Sequence, residues 1–104
     1  MLNQRKEKNT TLLFKTLAQL KNEEEFRIFF EDLCTCTEIM QMAQRLESAS
    51  LLLDKKTYTY IIKKTDISSA TLSRISRCIQ HGSGGYNKVL FDIMNSENKD
   101  PEDN

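Results

Sequence analysis

Apolar residues recur every three to four positions along almost the whole chain, which is the repeat of an amphipathic α-helix. Only three glycines and one proline occur in 104 residues, and strand-rich folds need more turn residues than that. The apolar stripes comprise Leu13, Leu17 and Leu20; Phe26, Phe29, Phe30 and Leu33; Ile39, Met42, Ala43, Leu46, Ala49 and Leu53; Ile61, Ile62, Ile67, Leu72 and Ile75; and Tyr86, Val89, Leu90 and Ile93. The sequence therefore predicts an all-α fold of six helices.

Local signals indicate where some of these helices begin and end. Thr35 and Glu38 have the spacing of a capping box that opens the third helix. Gly82 is suited to end the helix that reaches His81. The length of the chain favours one domain. We expect a single helical domain over residues 1–94 and a flexible acidic tail over residues 95–104.

The composition of the chain also predicts its compartment. No apolar run reaches the ~18 residues of a membrane span, and residues 1–10 lack the apolar segment of a secretory signal. Cys34, Cys36 and Cys78 are an odd number of cysteines, which is typical of free thiols in a reducing compartment. We expect a cytoplasmic protein with no membrane partner.

Positive charge is concentrated in one part of the chain, although the net charge is zero. Residues 55–82 carry six basic side chains and one acidic side chain, a balance of +5, whereas residues 1–54 and 83–104 have balances of −2 and −3. This asymmetry indicates a phosphate-binding surface, and a solvated basic face is the alternative.

The basic segment has the pattern of a DNA-binding helix-turn-helix over residues 58–77. Ile61 and Ile62 direct a first helix onto the core, Ile67 fills the angle at the turn, and Leu72 and Ile75 return a second helix. Asp66 stands where glycine is usual, because the backbone of such turns is left-handed there, and aspartate tolerates that conformation. Ser68 is placed to cap the second helix.

The outer face of this second helix suits the major groove of double-stranded DNA. Its first turns carry small polar residues, which let the backbone approach base edges, and basic residues on the flanks can neutralise phosphates. The predicted DNA-binding residues are Lys63, Lys64, Ser68, Ser69, Ala70, Thr71, Ser73, Arg74 and Arg77. An alternative function is a helical interaction or dimerisation module that has lost operator binding, which the zero net charge and Asp66 favour.

Several strings of the sequence together resemble a known family. They are FFEDLCT at 29–35, AQRLE at 43–47, ATLSR at 70–74, and Arg77 with Cys78. From about residue 29 to residue 86 the chain resembles the Trp repressor superfamily, most closely its YerC/YecD-type branch. The resemblance implies an intertwined homodimer with six helices per chain and a bacterial-type transcriptional repressor that binds an operator. Trp repressor is itself a standard example of helix-turn-helix docking. The apolar stripes between Leu13 and Leu33 independently favour a homodimer, because a small monomer leaves them uncovered.

The resemblance also implies an effector pocket. Arg45 and Arg74 match the two arginines that flank the tryptophan of Trp repressor, and Thr35 matches a threonine that lines the same pocket. Ile75 replaces a glycine whose space the indole uses, Cys78 replaces a serine that contacts the ligand, and the segment between the arginines is one residue shorter. These departures argue against tryptophan as co-repressor, so no cofactor is expected and the effector is unidentified.

No pattern in the sequence indicates an enzyme or a metal site. The Cys34-x-Cys36 pair lies at a predicted helix start, far along the chain from Cys78 and His81, whereas metal ligands must converge. His81 is the only histidine, and no serine or cysteine motif accompanies it. Glycine-rich phosphate loops are also lacking from the sequence. We therefore expect no catalytic residue and no metal ligand.

Overall fold

The computed structural model describes residues 4–98, which form six α-helices. These are α1 (Gln4–Ala18), α2 (Glu23–Leu33), α3 (Cys36–Leu53), α4 (Tyr58–Thr65), α5 (Ser69–His81) and α6 (Gly85–Asn98). No strand occurs among these residues, so the predicted all-α fold of six helices is confirmed. None of the helices in this range is long and apolar enough to cross a bilayer.

Two helix ends differ from the expected positions. α1 ends at Ala18, so Leu20 lies beyond the helix that its spacing predicted. The N–H groups of Gln19 and Leu20 donate to carbonyls three residues back, both at 3.1 Å, and these bonds tighten the last turn and close the helix. α6 continues to Asn98, past the expected domain end at residue 94. The remainder of the expected tail, residues 99–104, lies outside the described residues.

Side-chain caps fix the starts of α2 and α3. The Asn22 side chain accepts from the Glu25 N–H at 2.9 Å. The Thr35 N–H donates to the Glu38 carboxylate at 2.8 Å, and the Glu38 N–H donates to the Thr35 hydroxyl oxygen at 3.1 Å, so the predicted capping box is confirmed. Hydrogen bonds from the Thr35 N–H and hydroxyl lower the pKa of Glu38 below its ordinary value of 4.5. The contribution of the ionised Glu38 carboxylate to the stability of the protein is lost as the pH falls through this lowered pKa.

The chain packs as two compact units that divide between Ile39 and Met40. In the first unit none of the described side chains is fully buried. The Phe26 and Phe30 rings meet edge to face with centroids 6.2 Å apart, yet Phe26 is 40% exposed. Leu12 and Phe14 of α1 are exposed at 67% and 63%. This unit therefore presents large apolar side chains without enclosing them in a core.

The second unit contains the hydrophobic core of the described residues. Its centre is formed by α4, α5 and the turn between them, with one buried apolar residue each from α3 and α6. The buried apolar residues are Ala49, Ile61, Ile67, Leu72, Ile75 and Leu90. Half-buried apolar residues from α3, α4, α5 and α6 pack around them, namely Leu51, Leu52, Leu53, Ile62, Ile79 and Tyr86. Every core residue outside α3 and α6 belongs to the segment between Tyr58 and His81.

Gly82 ends α5 as its position predicted. Its N–H donates to the Cys78 carbonyl at 2.9 Å. A Cβ atom at Gly82 would lie only 2.5 Å from that carbonyl oxygen, so a larger residue cannot occupy this position without a shift of the backbone. Gly84 has a φ of +86°, the left-handed conformation that favours glycine. Glycine is therefore favoured on steric grounds at two positions between α5 and α6, Gly82 and Gly84.

Candidate nucleic-acid interface

α4 and α5 are joined by a turn of three residues, Asp66, Ile67 and Ser68. Thr57 caps α4 by accepting from the Tyr60 N–H at 3.2 Å. Ser68 caps α5 by accepting from the Thr71 N–H at 3.1 Å, as its position predicted. The short connection fixes where α5 begins relative to the end of α4.

The apolar residues expected to orient the two helices are buried. Ile61 and Leu72 are fully buried, and Ile67 and Ile75 are each 2% exposed. Ile62 is half-buried and packs against this cluster. The predicted burial is therefore confirmed, with Ile62 at the edge of the core. Burial of four isoleucine and leucine side chains stabilises the pairing of α4 with α5 by roughly 1.5–3 kcal/mol per side chain.

Asp66 adopts the left-handed conformation expected at the turn, with φ 63° and ψ 15°. Its N–H donates to the Ile62 carbonyl at 2.9 Å and closes α4. The side chain remains exposed. Aspartate is one of the few residues with a Cβ that enter this region at a modest energetic cost, so the sequence departs here from the usual glycine without changing the turn.

Polar side chains of α3 lie at the end of α4, next to the same turn. The Gln44 amide donates to the Thr65 carbonyl at 2.8 Å, and the fully buried Ser48 hydroxyl donates to the Gln44 carbonyl at 2.8 Å. The Thr65 hydroxyl donates to the Ile61 carbonyl at 2.8 Å and accepts from the Ile67 N–H at 3.3 Å. We call Gln44, Ser48 and Thr65 the turn clamp, a contact that the sequence reasoning missed.

The predicted base-reading residues do not share one environment. Ser69, Ala70 and Ser73 are exposed on α5, whereas Thr71 is half-buried. The Ser68 hydroxyl donates to the Thr71 hydroxyl oxygen at 2.8 Å, while the Thr71 N–H donates back to Ser68. The Thr71 hydroxyl proton remains available to an acceptor such as a base or a phosphate.

The predicted phosphate-binding residues Lys63, Lys64, Arg74 and Arg77 are all exposed. None of these four cations forms an ion pair with a carboxylate within residues 4–98. Four uncompensated charges on two adjacent helices produce a positive surface that an anion can approach.

The residues expected to form an effector pocket are placed in different surroundings. Thr35 belongs to the first unit, where it caps α3. In the second unit Arg45 and Arg74 are exposed and Ile75 is buried in the core. Of the expected pocket residues, only Cys78 lines an open apolar cleft of about 510 Å³. That cleft is lined by Leu46, Cys78, Gly82, Ser83, Gly84, Gly85, Tyr86, Val89 and Leu90. The effector pocket and the lack of a tryptophan requirement stay predictions.

Cys34, Cys36 and Cys78, all among the described residues, take part in no disulfide bond. Across residues 4–98, no three histidine, cysteine, aspartate or glutamate side chains lie close enough together to hold a metal ion.

The sequence model of the Trp repressor protein family matches residues 8–93, a range that includes α4, the turn and α5. This chain belongs to the Trp repressor family. Its relatives include the uncharacterized protein YerC of Bacillus subtilis strain 168, which is 42% identical over 85 residues that cover 82% of each chain.

Solved structures of Trp repressor-like proteins have the same fold. A TrpR-like protein from Eubacterium eligens ATCC 27750 is 38% identical, with a TM-score of 0.78 over 83% of this chain and 89% of its own. A proposed Trp repressor from Staphylococcus aureus is 36% identical, with a TM-score of 0.78 over 90% of this chain and 96% of its own. The Trp repressor family is one of DNA-binding regulators, so the family of this chain is regulatory.

Asp66→Gly should stabilise the protein, because glycine enters the left-handed region without a Cβ penalty. We expect the free energy of unfolding to rise by about 0.5–1 kcal/mol in urea titrations. Asp66→Ala is the matched control, since it keeps the Cβ atom and removes the polar side chain, and it should lower the free energy of unfolding. A glycine variant less stable than the alanine variant would contradict the strain assigned to this turn.

Proposed function

We propose that this protein is a sequence-specific transcriptional regulator that inserts α5 into the major groove of an operator and represses transcription there. The observation that carries the proposal is the start of α5, where exposed small residues are followed by uncompensated arginines. Membership of the Trp repressor family and the similarity to a proposed repressor of S. aureus support it.

The side chains of the interface divide between two tasks in this proposal. Ser69, Ala70, Thr71 and Ser73 approach base edges, because short side chains let the helix backbone enter the groove. Lys63 and Lys64 on α4, with Arg74 and Arg77, contact phosphates and fix the position of α5, and Ser68 holds the start of α5 at the same surface as its cap. The left-handed turn and the turn clamp hold these two sets of side chains in a constant relation.

We also propose that the regulator is a homodimer. Large apolar side chains are exposed in the first unit, such as Leu12, Phe14 and Ile28, and they leave apolar surface in contact with water at a free-energy cost. A second copy of the chain covers such a surface symmetrically. The α5 helices of the two copies then lie about 34–36 Å apart and contact successive major grooves of a nearly palindromic operator.

Sedimentation equilibrium at micromolar concentration should give a dimer mass. Burial of the exposed apolar residues favours association, so the dimer should persist in high salt, where surface ion pairs are screened. Phe14→Glu places a charge on this surface and should shift the equilibrium towards the monomer. A stable wild-type monomer would remove the basis for a two-site operator.

The affinity for duplex DNA should fall steeply with salt, because bound phosphates release counterions. If the two protomers together neutralise about six phosphates, the log–log slope of the association constant against salt is near −5. A fluorescence titration of a random duplex at several salt concentrations measures this slope. A slope near zero would favour the alternative of a helical interaction module.

Thr71→Ala and Arg77→Ala should affect DNA binding in different ways. Thr71→Ala removes a base-edge contact and should weaken the preferred operator by about 1–3 kcal/mol while random DNA is nearly unaffected. Arg77→Ala should weaken both DNAs equally and lower the salt slope by about one unit per protomer. The operator is first selected from a random pool. Because Thr71 also bonds Ser68, thermal unfolding of each variant serves as the stability control.

A further inference from the structure

Tyr60 on the exposed side of α4 lies between Lys56, which precedes the helix, and Lys64 near its end. The Nζ atoms of Lys56 and Lys64 are each 5.7 Å from the centroid of the Tyr60 ring. The Lys64 ammonium also donates to the Tyr60 hydroxyl oxygen at 3.5 Å. The three residues follow one another at intervals of four, and the ring remains 43% exposed. We call Lys56, Tyr60 and Lys64 the α4 triplet.

We propose that the α4 triplet is a second contact with the phosphate backbone of duplex DNA, outside the reach of α5, and that Tyr60 orders its two lysines. Lys64 belongs to the phosphate-binding set proposed above, whereas Lys56 and Tyr60 are additions to it. The inference rests on the proposed function, because it assigns further residues to the same DNA complex.

The arrangement lowers the cost of ordering two long side chains. The Lys56 ammonium lies within the range of a cation–π attraction to the Tyr60 ring, and the Lys64 ammonium is held by its hydrogen bond to the Tyr60 hydroxyl. Ordering before binding reduces the conformational entropy that is lost when a phosphate is contacted. The two ammonium groups are at most about 11 Å apart, twice the 5.7 Å from nitrogen to centroid. Phosphates recur every ~3.4 Å along the axis of one strand, so both groups can contact the same strand.

The local charge favours a polyanion as the occupant of this surface. Lys64 has no carboxylate partner within residues 4–98, and Lys63 beside it adds a further positive charge. Lys56 pairs with Asp54 at 3.7 Å, but the two side chains are 45% and 58% exposed. Such surface pairs contribute little, so a phosphate can replace the carboxylate. The triplet is continuous with the basic end of α4, which places it beside the proposed operator contact.

Salt titrations of random duplex DNA with the full-length protein test the proposal. Lys56→Ala should reduce the salt slope by about one unit per protomer, because one phosphate contact is lost. Lys88→Ala on α6 removes the same charge outside the triplet and should leave the slope unchanged. Asp54→Asn should raise the affinity, because it removes the anion that competes with phosphate for Lys56.

Substitutions of Tyr60 separate the ordering of the two lysines from the effect of their charge. Tyr60→Leu should weaken binding about two- to fivefold for each lysine that the ring orders, with the slope nearly unchanged because both charges remain. Tyr60→Phe keeps the ring and removes only the hydroxyl that accepts from Lys64, so its loss of affinity should be smaller than that of Tyr60→Leu. Tyr58→Leu, on another side of α4, is the matched control, since Tyr58 is similarly exposed at 41%. Thermal unfolding checks that each variant is folded.

The outcomes distinguish this inference from the proposed function. A steep wild-type slope with unchanged binding by Lys56→Ala and Tyr60→Leu would overturn the triplet and leave the regulator proposal standing. Equal losses in Tyr60→Phe and Tyr60→Leu would overturn the role of the ring. A flat wild-type slope would overturn both proposals. If polyglutamate bound through Lys56 and duplex DNA did not bind, the surface would belong to an acidic protein partner.

Discussion

The direction of α5 depends on a turn of three residues, which is too short to let α5 move freely relative to α4. Asp66 reverses the backbone in the left-handed region, and the next residue, Ile67, is buried in the core. The Thr65 carbonyl at the end of α4 accepts a hydrogen bond from the side-chain amide of Gln44 on α3. Because carbonyls at the end of a helix have no donor within that helix, this bond satisfies the Thr65 carbonyl. An unsatisfied carbonyl at such a half-buried site costs about 1–3 kcal/mol. The turn therefore couples the orientation of α5 to both α3 and α4.

Residues that bury one face of a helix or cap its end could be predicted from the sequence, whereas residues that contact distant parts of the chain could not. Ile61, Leu72 and Ile75 follow from helical periodicity, and Ser68 and Gly82 from the unsatisfied groups at helix ends. Gln44 instead contacts a residue 21 positions away, and a glutamine in an amphipathic helix has no property that marks it as a clamp. The half-burial of Thr71 was missed for a similar reason, because its bond to Ser68 depends on side-chain geometry.

The two units differ in what their apolar residues do. In the second unit such residues enclose a core, and that core fixes the helices that carry the basic surface. In the first unit amphipathic helices such as α2 have the same periodicity, but Phe26 and Leu33 remain 40% and 49% exposed. Periodicity predicts that a face is apolar and does not state which surface covers it. The proposed second copy would give the first unit the burial that the second unit achieves alone.

The paired hydrogen bonds between Ser68 and Thr71 have a consequence for how operator preference can change among related proteins. Ser69, Ala70 and Ser73 make no side-chain hydrogen bond within residues 4–98, so selection can exchange them for new base contacts with little effect on the helix. Thr71 meets Ser68 through its hydroxyl, and a mutation there disturbs the start of α5 as well as the readout. Divergence of specificity is therefore freer at three neighbouring sites than at the fourth, where a new preference must be compatible with an intact cap.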